Sequence, residues 1–347
     1  MVVGKRPRRP YRTGDEALDA RIEELIEASG VEDGDLVREM VTTCFRVARD
    51  RADRGEMKLV NAALKEFAYA FKVFKRYRGV RKVSIFGSSR SGPGDPEYDC
   101  ARRFAEAIAE RGWMVITGAG PGIMEAGHEG AGAERSFGAA IRLPMEAEPN
   151  VVIEGDPKLI NFKYFFTRKV TFLKESDAFA LLPGGFGTLD EAFELLTLMQ
   201  TGKSDLHPIV LLETEGGEYW SDWRRFMEER LLGRGLISAE DMDLVKITDS
   251  IEDAVVEIER FYTNYDSQRY VEGTLVLRLQ RLPDGASLER LSREFGDILR
   301  SGGLRPVEPS AAEVAEGDRP ELARLAVAFN QRSQGRLRHL IDALNGF

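Results

Sequence analysis

Histidine and cysteine are scarce in this 347-residue chain, which has three of the one and two of the other. His128, His207 and His339 lie in unrelated settings, and neither a Cys-x-x-Cys nor a His-x-x-x-His pair occurs, so no metal site is expected. Cys44 and Cys100 fall in expected helices and make no disulfide framework; a reducing cytoplasm is the expected setting. No apolar run approaches the roughly 20 residues of a membrane span, and no signal-peptide-like core follows Met1. The net charge of −9 argues against a general nucleic-acid binder, which needs a basic surface. Basic residues cluster only in KRPRRPYR (5–12), read as part of a disordered tail over 1–14 that aids solubility rather than contacting RNA or an acidic partner. A P-loop is absent, since no GxxxxGK[ST] occurs.

What the chain does have is a change of rhythm. Glu16–Ala28, Asp35–Arg54 and Met57–Tyr77 carry helical periodicity, so 15–79 reads as a helical N-terminal extension. Strand and helix then alternate over 80–262. Strands are expected at 83–87, 113–118, 137–143, 150–154, 177–182, 207–213 and 243–248, with helices between them, including 159–174, 188–201 and 250–261. That alternation predicts an α/β fold, a doubly wound, Rossmann-like parallel sheet with right-handed crossovers. Residues 264–273 read as a linker into a small C-terminal α/β appendage (263–347), in which TLVLRLQRL (274–282) is followed by a helix from Leu288 to Arg300, a short strand near Leu304–Val307 and a long helix from about Pro320 to Leu344. The appendage has no motif; a packing extension is the role expected of it, with a regulatory or dimerising module as the alternative.

Ser176–Lys203, SDAFALLPGGFGTLDEAFELLTLMQTGK, joins a buried-length apolar strand to a helix through Pro183-Gly184-Gly185. Glycines let the backbone approach a ligand, and the free N–H groups of a first helical turn favour an anion. Gly184, Gly185, Gly187 and Thr188 therefore form a candidate phosphate site. Gly87-Ser88-Ser89 adds small hydroxyl donors after the first strand. A third loop, Gly118-Ala119-Gly120-Pro121-Gly122, imitates a dinucleotide fingerprint, but Arg142 stands near where the ribose-binding acid should be, which disfavours NAD. All three loops follow strands, at the end where ligands of such sheets bind. Glu125, in the first turn of its helix, could bind ribose hydroxyls or simply favour the helix dipole. Met124 could line a base pocket or the core. Thr188-x-x-Glu191 on its own is also a capping box, in which the glutamate only satisfies a backbone N–H.

With TRKVTF (167–172) and GAGPGIMEAG (118–127), the stretch PGGFGTLDE (183–191) resembles the signatures of the LOG (LONELY GUY) phosphoribohydrolases, long labelled lysine decarboxylases. The resemblance spans about residues 80–260. It implies an N-glycosyl hydrolase that splits a purine nucleoside 5′-monophosphate, AMP or a cytokinin riboside 5′-monophosphate, into base and ribose 5-phosphate. Glu191 is then the catalytic carboxylate and Arg168, the arginine of the family's Arg-Lys pair, orients the ligand and assists departure of the base. Lys169 adds charge toward phosphate or ribose. Phe186, Leu189 and Asp190, within the glycine motif, and Glu146 and Thr197 match pocket positions. No metal or organic cofactor is implied, and decarboxylation would need a pyridoxal phosphate site that nothing specifies. A homodimer or larger homo-oligomer is the implied assembly. Two rivals remain: a non-catalytic nucleotide or molybdenum-cofactor binding protein of the same fold, and an assembly protein whose flanking segments carry the main role.

Overall fold

The computed structural model describes residues 11–142 and 148–347, so most of the basic tail, and Glu146, lie outside the described residues. The chain forms two compact units, one through Ala68 and one from Tyr69 to Phe347. The first holds α1 (Glu16–Ser29), α2 (Gly34–Arg49) and most of α3 (Arg54–Phe74). Asp15 caps α1 by accepting from the N–H groups of Ala17 and Leu18, and Gly30 ends it at φ 62°. Arg38 of α2 pairs with Glu23 of α1 at 2.7 Å. The division between the units falls inside α3, ahead of residue 79, where the periodicity ended the helical extension.

The second unit is built on a seven-stranded parallel sheet. Its strands are β1 (Lys82–Phe86), β2 (Met114–Thr117), β3 (Ser136–Ile141), β4 (Leu159–Phe162), β5 (Ala178–Leu181), β6 (Ile209–Leu212) and β7 (Val245–Thr248), in the order β4-β3-β2-β1-β5-β6-β7. The helices between them are α4 (Pro96–Glu110), α5 (Ile123–Ala131), α6 (Phe165–Glu175), α7 (Phe186–Gln200), α8 (Tyr219–Phe226) and α9 (Ile251–Phe261). Alternation along each strand feeds two cores. Phe179 and Leu181 of β5, with Ile209 and Leu211 of β6, join one core with Phe172, Leu195 and Trp220. Ala178, Ala180, Val210 and Leu212 face the other, with Phe104, Ile108 and Ile258. Strands buried on both faces are why the sequence shows continuous apolar runs here.

After α9 come β8 (Tyr265–Val271), β9 (Thr274–Leu279), α10 (Gly285–Glu294), β10 (Arg305–Pro306), α11 (Ala311–Glu316), β11 (Ala323–Val327) and α12 (Gln334–Leu344). Their strands make an antiparallel sheet ordered β10-β11-β9-β8. Leu275, Leu277, Leu325 and Leu340 belong to the same core as Phe179 and Trp220, so the two sheets share one apolar interior.

Four local expectations are corrected. Residues 151–155 are turns, not a strand: Ile153 and Glu154 donate back to the Asn150 carbonyl, and Gly155 has φ 73°. The fourth strand comes later, at β4, inside the stretch read as a helix from Leu159; Ile160 and Phe162 are buried while Asn161 is exposed, a period of two too short to tell from a helix. The supposed linker 264–273 is mostly β8, which pairs with β9 across Glu272-Gly273, both left-handed (φ 49° and 82°) as a tight hairpin needs. The long final helix is a strand, β11, followed by the shorter α12. Among the described residues no helix is long and apolar enough to cross a membrane.

Candidate active site

The strand order reverses between β1 and β5, because β1 through β4 run outward in one direction and β5 through β7 in the other. Loops leaving the strands part at such a switch point and open a crevice. A cavity of about 1170 Å³ lies there, lined by the loops after β1, β2 and β5, the ends of β3 and β4, and the first turns of α6 and α7.

The glycine turn forms its floor. Gly184 donates no side chain but its carbonyl accepts from Tyr219 Oη at 2.6 Å, while the Pro183 carbonyl accepts from Ser88 N–H at 3.1 Å. A Cβ on Gly184 would lie 2.8 Å from Thr188 Cβ and 3.0 Å from the backbone carbon of Gly87, so the turn packs too closely for any other residue. Gly185, which has no side chain to cap with, precedes α7 at the N-cap, and α7 begins at Phe186. The N–H groups of Phe186 and Gly187 therefore have no intrahelical acceptor and face the cavity end of the helix. This start, two residues earlier than expected, places Thr188 inside the first turn. The capping-box reading of Glu191 fails with it, because the Thr188 position is not the cap.

Glu191 is buried, 6% exposed, and lines the cavity. Burial raises its carboxyl pKa from 4.5 to about 7, against the pull of Lys169 and Arg168. Lys169 Nζ lies 2.8 Å from Asp190, 2.7 Å from Glu194 and 3.8 Å from Glu191. Burial lowers the lysine pKa, but the hydrogen bonds it donates to Asp190 and Glu194 outweigh it and the net direction is up. One ammonium thus holds three carboxylates on the α6–α7 seam. Lys169→Met should raise the Glu191 pKa by about one pH unit or more, since an opposite charge at this range lowers a carboxyl by that order. Carbon NMR titration of a labelled Glu191 would read the shift, and an unchanged midpoint would refute the coupling. Arg168, on the same helix, lines the cavity with its guanidinium carbon 5.1 Å from the Phe165 ring centroid and 5.8 Å from that of Phe172.

Of the residues singled out in the sequence, Gly87, Ser88, Ser89, Gly120, Met124, Arg168, Gly184, Gly185, Phe186, Gly187, Thr188, Leu189, Asp190 and Glu191 all line this cavity. Gly122, Glu125, Lys169 and Thr197 do not. Gly122 instead packs on the first loop: at φ 75°, its Cβ would lie 2.7 Å from Ser89 Cα. Glu125 sits in the first turn of α5, and Thr197 is exposed on α7, where its carbonyl accepts from Thr201 Oγ1 at 2.7 Å.

Sequence reasoning missed Arg90, Arg142, Asn161, Phe165 and Tyr219 as lining residues. Arg90 was findable, since it directly follows the Ser88-Ser89 loop. Tyr219 carried no signal, because it reaches the Gly184 carbonyl across 35 residues of sequence. No lysine lines the cavity among the described residues, and no group of three or more His, Cys, Asp or Glu there could hold a metal ion.

Residues 121–258 match the family model described as "Possible lysine decarboxylase". A cytokinin riboside 5′-monophosphate phosphoribohydrolase of Mycobacterium tuberculosis (strain ATCC 25618 / H37Rv) is 31% identical over 158 residues, 45% of this chain and 82% of that protein. One from Arabidopsis thaliana is 26% identical over 186 residues, covering 52% and 83%. Among solved structures, the molybdenum cofactor binding protein of Rippkaea orientalis aligns with 52% of this chain and 96% of its own at 20% identity, with a TM-score of 0.38. A likeness at that score carries no argument about function.

Proposed function

Because this chain belongs to the LOG phosphoribohydrolase family, we propose that it hydrolyses the N-glycosidic bond of a purine nucleoside 5′-monophosphate, AMP or a cytokinin riboside 5′-monophosphate. The observation that carries the reading is the buried Glu191 carboxyl, which faces the cavity from the same helix whose free N-terminal N–H groups suit a phosphate. Charge and phosphate site are thereby held one turn apart, as a ribose 5-phosphate requires.

In this reading the phosphate sits on Gly185, Phe186, Gly187 and Thr188, with Ser88, Ser89 and Arg90 closing over it from the β1 loop. The ribose lies against Glu191. The bond from C1′ to the base nitrogen breaks with its electron pair leaving on the base, and Arg168 favours that negative charge. Positive charge grows on the sugar, where the Glu191 carboxylate stabilises it. Glu191 takes a proton from the attacking water, whose oxygen bonds to C1′. The base regains a proton from solvent, leaving free base and ribose 5-phosphate. Among the described residues no lysine lines the cavity to form a Schiff base, so lysine decarboxylation has no support from the lining residues.

Chromatography of the products tests this. Purified protein incubated with AMP, GMP, CMP and N6-isopentenyl AMP is expected to release free base from at least one purine nucleotide. Arg168→Ala should reduce that rate by about a hundredfold or more, the scale of a lost electrostatic contact to a leaving group. Tight nucleotide binding with no base released from any of the four would favour a carrier over an enzyme.

A further inference from the structure

A buried network that never touches the cavity holds one of its walls. Gly118, Ala119 and Gly120 line the cavity after β2. Ala119 stands at φ 64°, a left-handed conformation that an alanine disfavours by roughly tenfold. Three groups hold it there. Thr117 Oγ1 accepts from the Ala119 N–H at 3.0 Å. Asn150 Nδ2 donates to the carbonyls of Ala119 and Gly120 at 3.1 and 3.0 Å, and the Asn150 N–H donates to the Ala119 carbonyl at 2.9 Å. His128 then fixes Asn150, with Nδ1 at 3.1 Å from its amide nitrogen, and its own Nε2 at 3.0 Å from both Thr117 Oγ1 and the Phe137 carbonyl.

The histidine is 0% exposed and the asparagine 6%. Burial lowers the His128 pKa, and the neutral ring suits its neighbours: N–H on Nε2 donates to Phe137, while Nδ1 shares the two N–H groups of the Asn150 amide with the Ala119 and Gly120 carbonyls. Neither residue lines the cavity, so the two captured carbonyls point away from it. An anionic ligand therefore does not meet the lone pairs of these two carbonyls.

We propose that Asn150 and His128 are positioning residues that lock the Gly118–Gly120 loop in its left-handed turn and so set the affinity of the site for a nucleotide. The choice of nucleotide rests on the hydrolase reading; the locking does not. The Asn150 amide is the part that cannot be replaced by a shape mimic, because an aspartate there would face two carbonyl oxygens with a carboxylate and no donor.

The test combines AMP affinity by titration calorimetry with kcat and KM for base release, in the full chain. Asn150→Ala and Asn150→Asp should each weaken AMP binding and raise KM about tenfold or more, with kcat changed only a few-fold. His128→Gln, which keeps a donor for the Phe137 carbonyl, should do the same more mildly and serves if the Asn150 variants fail to fold. The decisive arm is Asn150→Ala combined with Ala119→Gly. Glycine adopts the left-handed turn without the penalty, so the double variant should regain most of the lost affinity. Folded Asn150 and His128 variants that bind AMP like the wild type overturn the proposal. So does a loss that Ala119→Gly leaves untouched, which would make Asn150 a packing residue, and so does a wild type that binds no AMP. AMP binding without base release defeats the hydrolase reading alone, and the affinity series still decides the role of the network.

Discussion

Glu191→Gln is expected to lower base release by about 10²- to 10⁴-fold while nucleotide affinity stays within a few-fold, because the substitution keeps the shape and removes the charge and the base. The same carboxyl sets the pH dependence. Its pKa is about 7, and in the proposed hydrolysis the ionised form is the working one, so activity should rise through pH 7 and level off above it. Stability should move the opposite way. In the unfolded chain the group titrates near 4.5, and in the folded protein near 7. Below 4.5 it is protonated in both states and contributes nothing. Between the two values the ionised unfolded form gains, and above 7 the folded state carries the full penalty of an anion held in a dry site. The rise from 4.5 to about 7 corresponds to about 3 kcal/mol. Glu191→Gln should therefore stabilise the protein by up to that amount at pH 8 and hardly at all at pH 4.5. Urea unfolding at the two pH values reads this, and a gain independent of pH would show that the glutamate is not strained by its burial.

Gly122→Ala should destabilise the fold by at least about 3 kcal/mol, whereas Gly187→Ala should leave it intact. The two glycines serve different ends. Gly122 sits at φ 75°, and a methyl there would lie 2.7 Å from both Cα and the carbonyl carbon of Ser89, backbone atoms of the first loop. That loop cannot yield locally, since Ile123 N–H donates to the Ser88 carbonyl at 3.0 Å and Ser88 N–H to that of Pro183. All three glycine loops are thereby linked, and displacing one moves the proposed phosphate site. Gly187, by contrast, has nothing within 4 Å of its would-be Cβ and lies in the first turn of α7. Alanine there should match or exceed wild-type stability by up to about 1 kcal/mol, from helix propensity. Its cost should appear only in nucleotide affinity, because the methyl enters the space a phosphate would occupy. Melting temperatures and AMP affinities for the pair separate the roles; equal stability of the two variants would defeat the distinction.

The sheet was legible because its strands are buried on both faces. Runs such as Ala178–Leu181 and Ile209–Leu212 are continuous apolar segments punctuated by glycine and proline, and no helix pattern competes with them. The glycine turn was legible too, since three glycines around Pro183 and Thr188 leave few backbone choices. Where the chain forms an edge strand or a hairpin the pattern failed. Asn161 lies in a stretch whose pattern fits a helix and the polar run Asp266–Arg269 looks like a linker, and only pairing with β3 and β9 makes strands of them. Arg168 and Glu191 could be nominated from the sequence, but whether Glu191 caps a helix or faces a cavity could not. That depended on where α7 begins, which the packing of Gly184 against Thr188 and Gly87 decides.

The sequence by itself determined the alternation of strand and helix, the place of the three glycine loops at the strand ends, and the membership of Arg168 and Glu191 in one motif set. These are local properties, written in periodicity and in residues with special backbone freedom. Tertiary structure alone decided that Lys169 serves three carboxylates, that Tyr219 holds the Gly184 carbonyl, and that His128 and Asn150 stand behind the Ala119 turn. Each of these joins residues far apart in the chain. Hydrogen-bond geometry and burial, which give such contacts their energy, arise only when the sheet brings them together.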